Sequence, residues 1–143
     1  MIDIEQIRET IPHRYPFLLI DRILDVNEEG TTCTGIKNVT ANEKVVQALM
    51  PDMMVFPGAL LVEHMAQVGC YLLLTKPEAK GKLAYFAAID EVRFEKPVVP
   101  GDTVKTTIEL LSGRRGIWKI RAESRVDDKI VCSGILTCAL VDY

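Results

Sequence analysis

The segment that most limits what this chain can become runs from Pro57 to Leu74, where ALLVEHMAQVGCYLLL follows Pro57-Gly58 and stops before Lys76 and Pro77. Its length and lack of β-branching predict a helix, and Pro-Gly is a natural start for one. Apolar residues fall on every side of that helix rather than on one stripe, so it must be enclosed by protein or lipid. A membrane span needs ~20 predominantly apolar residues with few charges. Here Glu63, His64 and Gln67 interrupt the run, so protein is the expected surrounding and no membrane span is expected.

The rest of the chain supplies strands to surround it. Asp3 and Gln6 form a capping-box pattern that predicts a short helix over the first ten residues, ending at Pro12. Phe17 to Val26 and Thr31 to Val39 read as two strands joined by Asn-Glu-Glu-Gly, and Thr40 to Phe56 as a structured loop. After the long helix the chain is strand-like almost to its end. Leu83 to Phe94 forms one strand and Val104 to Leu110 alternates apolar and polar residues. Ser112 to Gly116 reads as a loop, Trp118 to Val126 alternates again, and an Asp127-Asp128-Lys129 turn leads into Ile130 to Val141. This order predicts an α+β fold, residues 1 to 143 forming one domain in which a curved antiparallel sheet wraps one long central helix.

Charge and cysteine content narrow the function. With 17 Lys and Arg against 20 Asp and Glu among 143 residues, the net charge of -3 does not suit a phosphate-driven nucleic-acid binder. Cys33, Cys70, Cys132 and Cys138 form no CxxC pair and lie in apolar surroundings, as reduced buried thiols do; neither a metal site nor a disulfide framework is expected. The acidic start MIDIEQIRET lacks the pattern of an export signal, which points to a cytoplasmic protein.

Glu63 is the residue the fold least explains, because a carboxylate in the second turn of an enclosed helix loses hydration. It is either a general acid/base, with burial raising its pKa and the helix N-terminus lowering it, or a carboxylate that reaches solvent or pairs with a buried arginine. Gly58 can do more than start the helix, since free backbone N–H groups there can hold a polarised carbonyl oxygen. His64 points ~100° away from Glu63 on a helix and reads as a packing or interface residue. His13, in Pro-His-Arg-Tyr-Pro, reads as a loop residue bonded to backbone. Met53, Met54, Val55 and Phe56 form a soft apolar run that would line a dry tunnel beside the helix.

The runs IPHRYPFLLIDRI (11 to 23), KNVTANE (37 to 43), FPGALLVEHMAQ (56 to 67) and AAIDEVRFEKPVVPGDTV (87 to 104) resemble the bacterial (3R)-hydroxyacyl-ACP dehydratases of fatty-acid synthesis, the FabZ type. The resemblance covers nearly the whole chain. It implies a hot-dog fold, no cofactor, and acyl carrier protein bearing an acyl thioester as partner. It also implies homodimers, commonly three to a hexamer, with an acyl tunnel at each dimer interface. In that family a Glu on the central helix works with a His from the other subunit, within Gly-His-Phe-Pro. Glu63 matches the Glu, and Gly58 the glycine whose N–H binds the thioester carbonyl. Ala48-Leu49-Met50-Pro51 stands where Gly-His-Phe-Pro is expected, so Leu49 takes the histidine position. Three functions follow: a dehydratase weak or inactive as a homomer, a binding or partner-dependent subunit completed by a His-containing paralogue, or a thioesterase using Glu63.

Overall fold

The computed structural model describes residues 1–142. In chain order the elements are α1 (Ile4–Thr10), β1 (Arg22–Val26), β2 (Thr32–Asn38), α2 (Lys44–Leu49), α3 (Gly58–Leu74), a 3-10 turn at Pro77–Ala79, β3 (Lys82–Phe94), β4 (Thr103–Arg114), β5 (Ile117–Val126) and β6 (Lys129–Asp142). The strands form one antiparallel sheet in the order β1-β2-β4-β5-β6-β3. Strands β2 to β6 all contact α3, so the sheet curves round the helix in the hot-dog arrangement that the resemblance implies.

Local sequence accounts for most of these elements. The Asp3 side chain accepts from the Gln6 N–H and the Gln6 side chain accepts from the Asp3 N–H, closing the capping box of α1. In β4 and β5 alternate residues are buried, including Val104, Thr106, Ile108, Ile120 and Ala122, so one face meets α3 and the other is wet. Arg115-Gly116 and Asp127-Asp128 connect the last three strands with positive φ at every position, the handedness that a two-residue hairpin loop requires. The pairs Cys33–Ile108 and Gly35–Thr106 align the inward residues of β2 with those of β4 beneath α3.

Three boundaries differ from the sequence reading. The expected strand at Phe17 to Val26 shortens to Arg22–Val26, because the backbone of Phe17 and Leu19 bonds to side chains of α3 instead of to a neighbouring strand. The expected loop from Thr40 to Phe56 contains α2. Glu43 precedes this helix and its Oε1 accepts from the Lys37 ammonium at 3.2 Å and from the Thr40 N–H at 3.2 Å, anchoring it to the end of β2. The expected loop at Ser112 to Gly116 is strand up to Arg114, with only Arg115-Gly116 turning.

Helix α3 is buried more completely by its own chain than its apolar circumference suggested. Every residue from His64 to Leu73 is buried within the single chain. Close approach makes this possible, for β2 passes α3 at Gly35, where an added Cβ would lie 2.8 Å from a Val68 methyl and 3.1 Å from Ile23 Cδ1. Both neighbours are fully buried, and a β-branched side chain on a helix has little rotamer freedom to yield. Gly35→Ala is therefore expected to lower unfolding free energy by about 1–2 kcal/mol, overpacking outweighing the entropy gained by removing a glycine. Equilibrium urea denaturation measures this, and an unchanged or raised midpoint would contradict the packing described.

Candidate functional site

The polar side chains of α3 define the site by what they bind. Gln67 is fully buried, and its Oε1 accepts from the Leu19 N–H at 2.8 Å while its Nε2 donates to the Phe17 carbonyl at 2.7 Å and to Glu63 Oε1 at 2.8 Å. One turn earlier, His64 Nδ1 donates to the Leu19 carbonyl at 2.8 Å. Two helix side chains thus hold the irregular segment after α1 against the start of α3. Arg14 secures its other end, donating to the carbonyls of Arg8 at 2.8 Å, Ile11 at 2.8 Å and His13 at 2.7 Å.

This clamp brings His13 to Glu63. His13 Nε2 lies 3.6 Å from Glu63 Oε1, and His13 Nδ1 is buried with no hydrogen-bond partner. Both residues line a cavity of about 230 Å³ with Ala66, Cys70, Tyr85 and Cys138. Burial raises the Glu63 pKa above the usual carboxylate range, and the Gln67 hydrogen bond opposes it. Burial and then the positive Arg14 lower His13. Burial pushes the Cys70 thiol up to about 12 and Cys138 up to about 11, so both stay protonated and are poor nucleophiles.

Gly58 lies elsewhere. It opens α3 after Pro57, in a second cavity of about 290 Å³ lined also by Leu49, Met50, Phe56, Leu61 and Phe94. An added Cβ at Gly58 would approach the Phe94 ring to 3.0 Å, so only glycine leaves this helix start open beside the ring. Leu49 ends α2 and is 45% exposed, contributing little to the core. Within one chain the two site residues read from the sequence, Glu63 and Gly58, therefore occupy different cavities. Of the expected tunnel lining, Val55 and Phe56 are buried beside Gly58, whereas Met53 and Met54 are exposed outside that cavity.

The sequence reading made His13 a loop residue bonded to backbone; the structure corrects the bonding, since its Nδ1 has no partner and its Nε2 faces the Glu63 carboxylate at 3.6 Å. Only the fold reveals that contact, since fifty residues separate the two. Gln67 carried a local signal, because positions 63 and 67 share a helix face at the spacing where side chains meet.

Comparison with known proteins shows the family. The FabA-like domain family matches residues 11–135. The chain is 51% identical over 140 residues to the 3-hydroxyacyl-[acyl-carrier-protein] dehydratase FabZ of Exiguobacterium sibiricum, covering 98% of this chain and 99% of that one. It belongs to the FabA-like family, as a FabZ-type member. The corresponding enzyme of Bacillus cereus is 50% identical over 142 residues, covering 99% and 98% of the two chains. Among solved structures, the dehydratase heterocomplex ApeI:P of Xenorhabdus doucetiae matches with a TM-score of 0.81 at 16% identity, over 95% of this chain and 91% of that one. The PaaI protein of the phenylacetic acid degradation operon of E. coli matches at 0.64 and 18% identity, over 82% and 80%. These two share the family's fold with the chain.

His64 makes a separate contribution to the site's stability. It is wholly buried, its Nε2 has no partner, and burial lowers its pKa to about 4, the Leu19 carbonyl opposing and the Lys37 charge adding to the shift. A histidine with a depressed folded pKa is protonated more readily in the unfolded chain, so stability falls as pH drops from ~6.5 towards ~4. The expected loss over that window is about 3 kcal/mol. Denaturation midpoints taken from pH 7 to 4.5 should decline more steeply for the native protein than for His64→Gln, and parallel curves would show that His64 does not titrate as described.

Proposed function

We propose that the protein acts on a 3-hydroxyacyl thioester carried by acyl carrier protein, removing water to give the enoyl thioester, and that the homomer does so slowly. The observation that carries this reading is the Glu63 carboxyl, held by Gln67 in a cavity wall with a raised pKa, in a chain about half identical over its full length to dehydratases named for that reaction. Dehydration needs one group to take the α-proton, another to protonate the departing hydroxyl, and donors for the enolate-like thioester oxygen. Glu63 is assigned proton transfer to the hydroxyl and the Gly58 N–H the oxygen. Leu49, standing where the family resemblance puts a histidine, cannot carry a proton.

The reading further holds that two copies make each site. Strand β3 is a long edge of the sheet whose Tyr85, Phe86, Ile89 and Phe94 are roughly half exposed, the kind of edge that pairs with another chain. Antiparallel self-pairing about Asp90 sets Phe86 of one copy opposite Phe94 of the other. Phe86 lines the Glu63 cavity and Phe94 the Gly58 cavity, so the two half-sites meet across the strands.

A second reading is favoured by Leu49 itself, namely a subunit completed by a His-containing paralogue. The Xenorhabdus protein of the same fold is a dehydratase heterocomplex, so unlike subunits fit this architecture. Mixing the chain with such a paralogue and assaying each alone separates the two. Thioester hydrolysis, the remaining alternative, would release free thiol, which dehydration does not.

Two outcomes test the main reading. Leu49→His is expected to raise turnover of 3-hydroxyacyl-ACP by part of the ~10²–10⁴-fold that an acid/base group contributes. Recovery should be incomplete, because Ala48 and Met50 also differ from the family's Gly and Phe and a ~1 Å misplacement can lose ~10²-fold. Glu63→Gln should abolish turnover in either background, and turnover that survives it would overturn the assignment. Light scattering should find a dimer or a multiple of it, and Ile89→Lys should yield monomer with no turnover. A native monomer at micromolar concentration would remove the shared site.

A further inference from the structure

We propose that His13 supplies the second proton-carrying group of this site, working with Glu63 of its own chain in place of the histidine that Leu49 has replaced. The inference rests on the dehydratase reading above and adds to it the residue that takes the α-proton. The two side chains share the wall of one cavity. Their 3.6 Å separation is close to contact but not a hydrogen bond, and a closing movement of about half an ångström would make it one.

The surroundings of His13 suit a base rather than a structural histidine. His13 Nδ1 is buried without a partner, as is His64 Nε2, so what separates the two histidines is their other ring nitrogen. Neither ring nitrogen of His13 is engaged by backbone, in contrast to His64, whose Nδ1 is bound by Leu19. The segment is nevertheless held, since Arg14 grips the His13 carbonyl and Gln67 and His64 hold the backbone at Phe17 and Leu19. Arg14 is thus a positioning residue. Burial favours the uncharged form of both members, leaving a free imidazole beside a carboxyl able to carry a proton. The Cys70 and Cys138 thiols on the same wall hold their protons too firmly to compete.

The proton balance closes over one turnover. The neutral imidazole takes the α-proton, the Cα–H electron pair becomes the new C=C bond, and the C–O bond breaks as Glu63 passes its proton to the leaving hydroxyl. Enoyl thioester and water result, with imidazolium facing carboxylate. Transfer of one proton from His13 Nε2 to Glu63 Oε1 restores the starting pair, and no co-reactant is consumed.

The test is a cycle of purified full-length variants assayed with 3-hydroxyacyl-ACP. His13→Ala should lower kcat by ~10²-fold or more with little change in KM, and added imidazole should restore part of the rate. The same substitution made on Leu49→His should cost far less, because the restored histidine then serves. His13→Gln, which keeps a polar group of similar size, repeats the measurement should the alanine variant fold poorly. Equal losses in both backgrounds, or no loss in the native one, would overturn the proposal. So would a native chain without turnover beside an active Leu49→His, although the dehydratase reading would then stand. If neither chain dehydrates the substrate, both readings fall.

Discussion

Helix α3 has no wet face, and the molecule is organised by that fact. Burying it on all sides takes a sheet that curves, inward apolar residues at every second position of the strands, and a glycine where β2 passes Val68. It also takes polar partners for the three hydrophilic side chains inside the run. Gln67 and His64 receive theirs from the backbone of Phe17 and Leu19, and so the segment between α1 and β1 is drawn onto the helix instead of joining the sheet. Unsatisfied amide and imidazole groups in that position would each cost about 1–3 kcal/mol.

Glu63 differs from its two neighbours because it is not fully buried and no backbone group binds it. It has the Gln67 amide and the nearby His13 ring, and beyond them an open cavity. A carboxylate left part-way between water and protein keeps a proton more tightly than usual, which is a useful condition for giving that proton away. Stability and reactivity are thus divided along one helix. Gln67 and His64 serve the first, Glu63 serves the second in the function proposed above, and the spacing of four between Glu63 and Gln67 joins them.

The two cavities lie at different points along α3, and the proposed shared site follows from their separation. Gly58 and Leu49 lie at the helix start against Phe94, while Glu63 and His13 lie farther along against Tyr85 and Phe86. Edge strand β3 runs past both and exposes apolar side chains that its own chain leaves uncovered. Since α3 is enclosed within one chain, the proposed association rests on this strand rather than on the helix.

Much of this was legible in the residues themselves. The capping box at Asp3, the Pro-Gly start of α3, the alternation in β4 and β5 and the anomaly of Glu63 all rest on local chemistry that a linear pattern displays. The short helix at Lys44–Leu49 was hidden because its anchor is the Lys37–Glu43 pair, and a six-residue helix has too few turns to show a period. The shortening of β1 was hidden for a like reason, since Phe17 and Leu19 carry strand-forming side chains and it is the side chains of Gln67 and His64, forty-eight and forty-five residues beyond Leu19, that redirect their backbone. Sequence by itself thus determined most of the elements, the buried helix and the carboxylate that needed a reason to be there. Tertiary structure alone decided that His13 stands beside that carboxylate and that Gly58 does not, because both depend on where the curved sheet and the clamped segment meet the helix, and no local propensity encodes such distances.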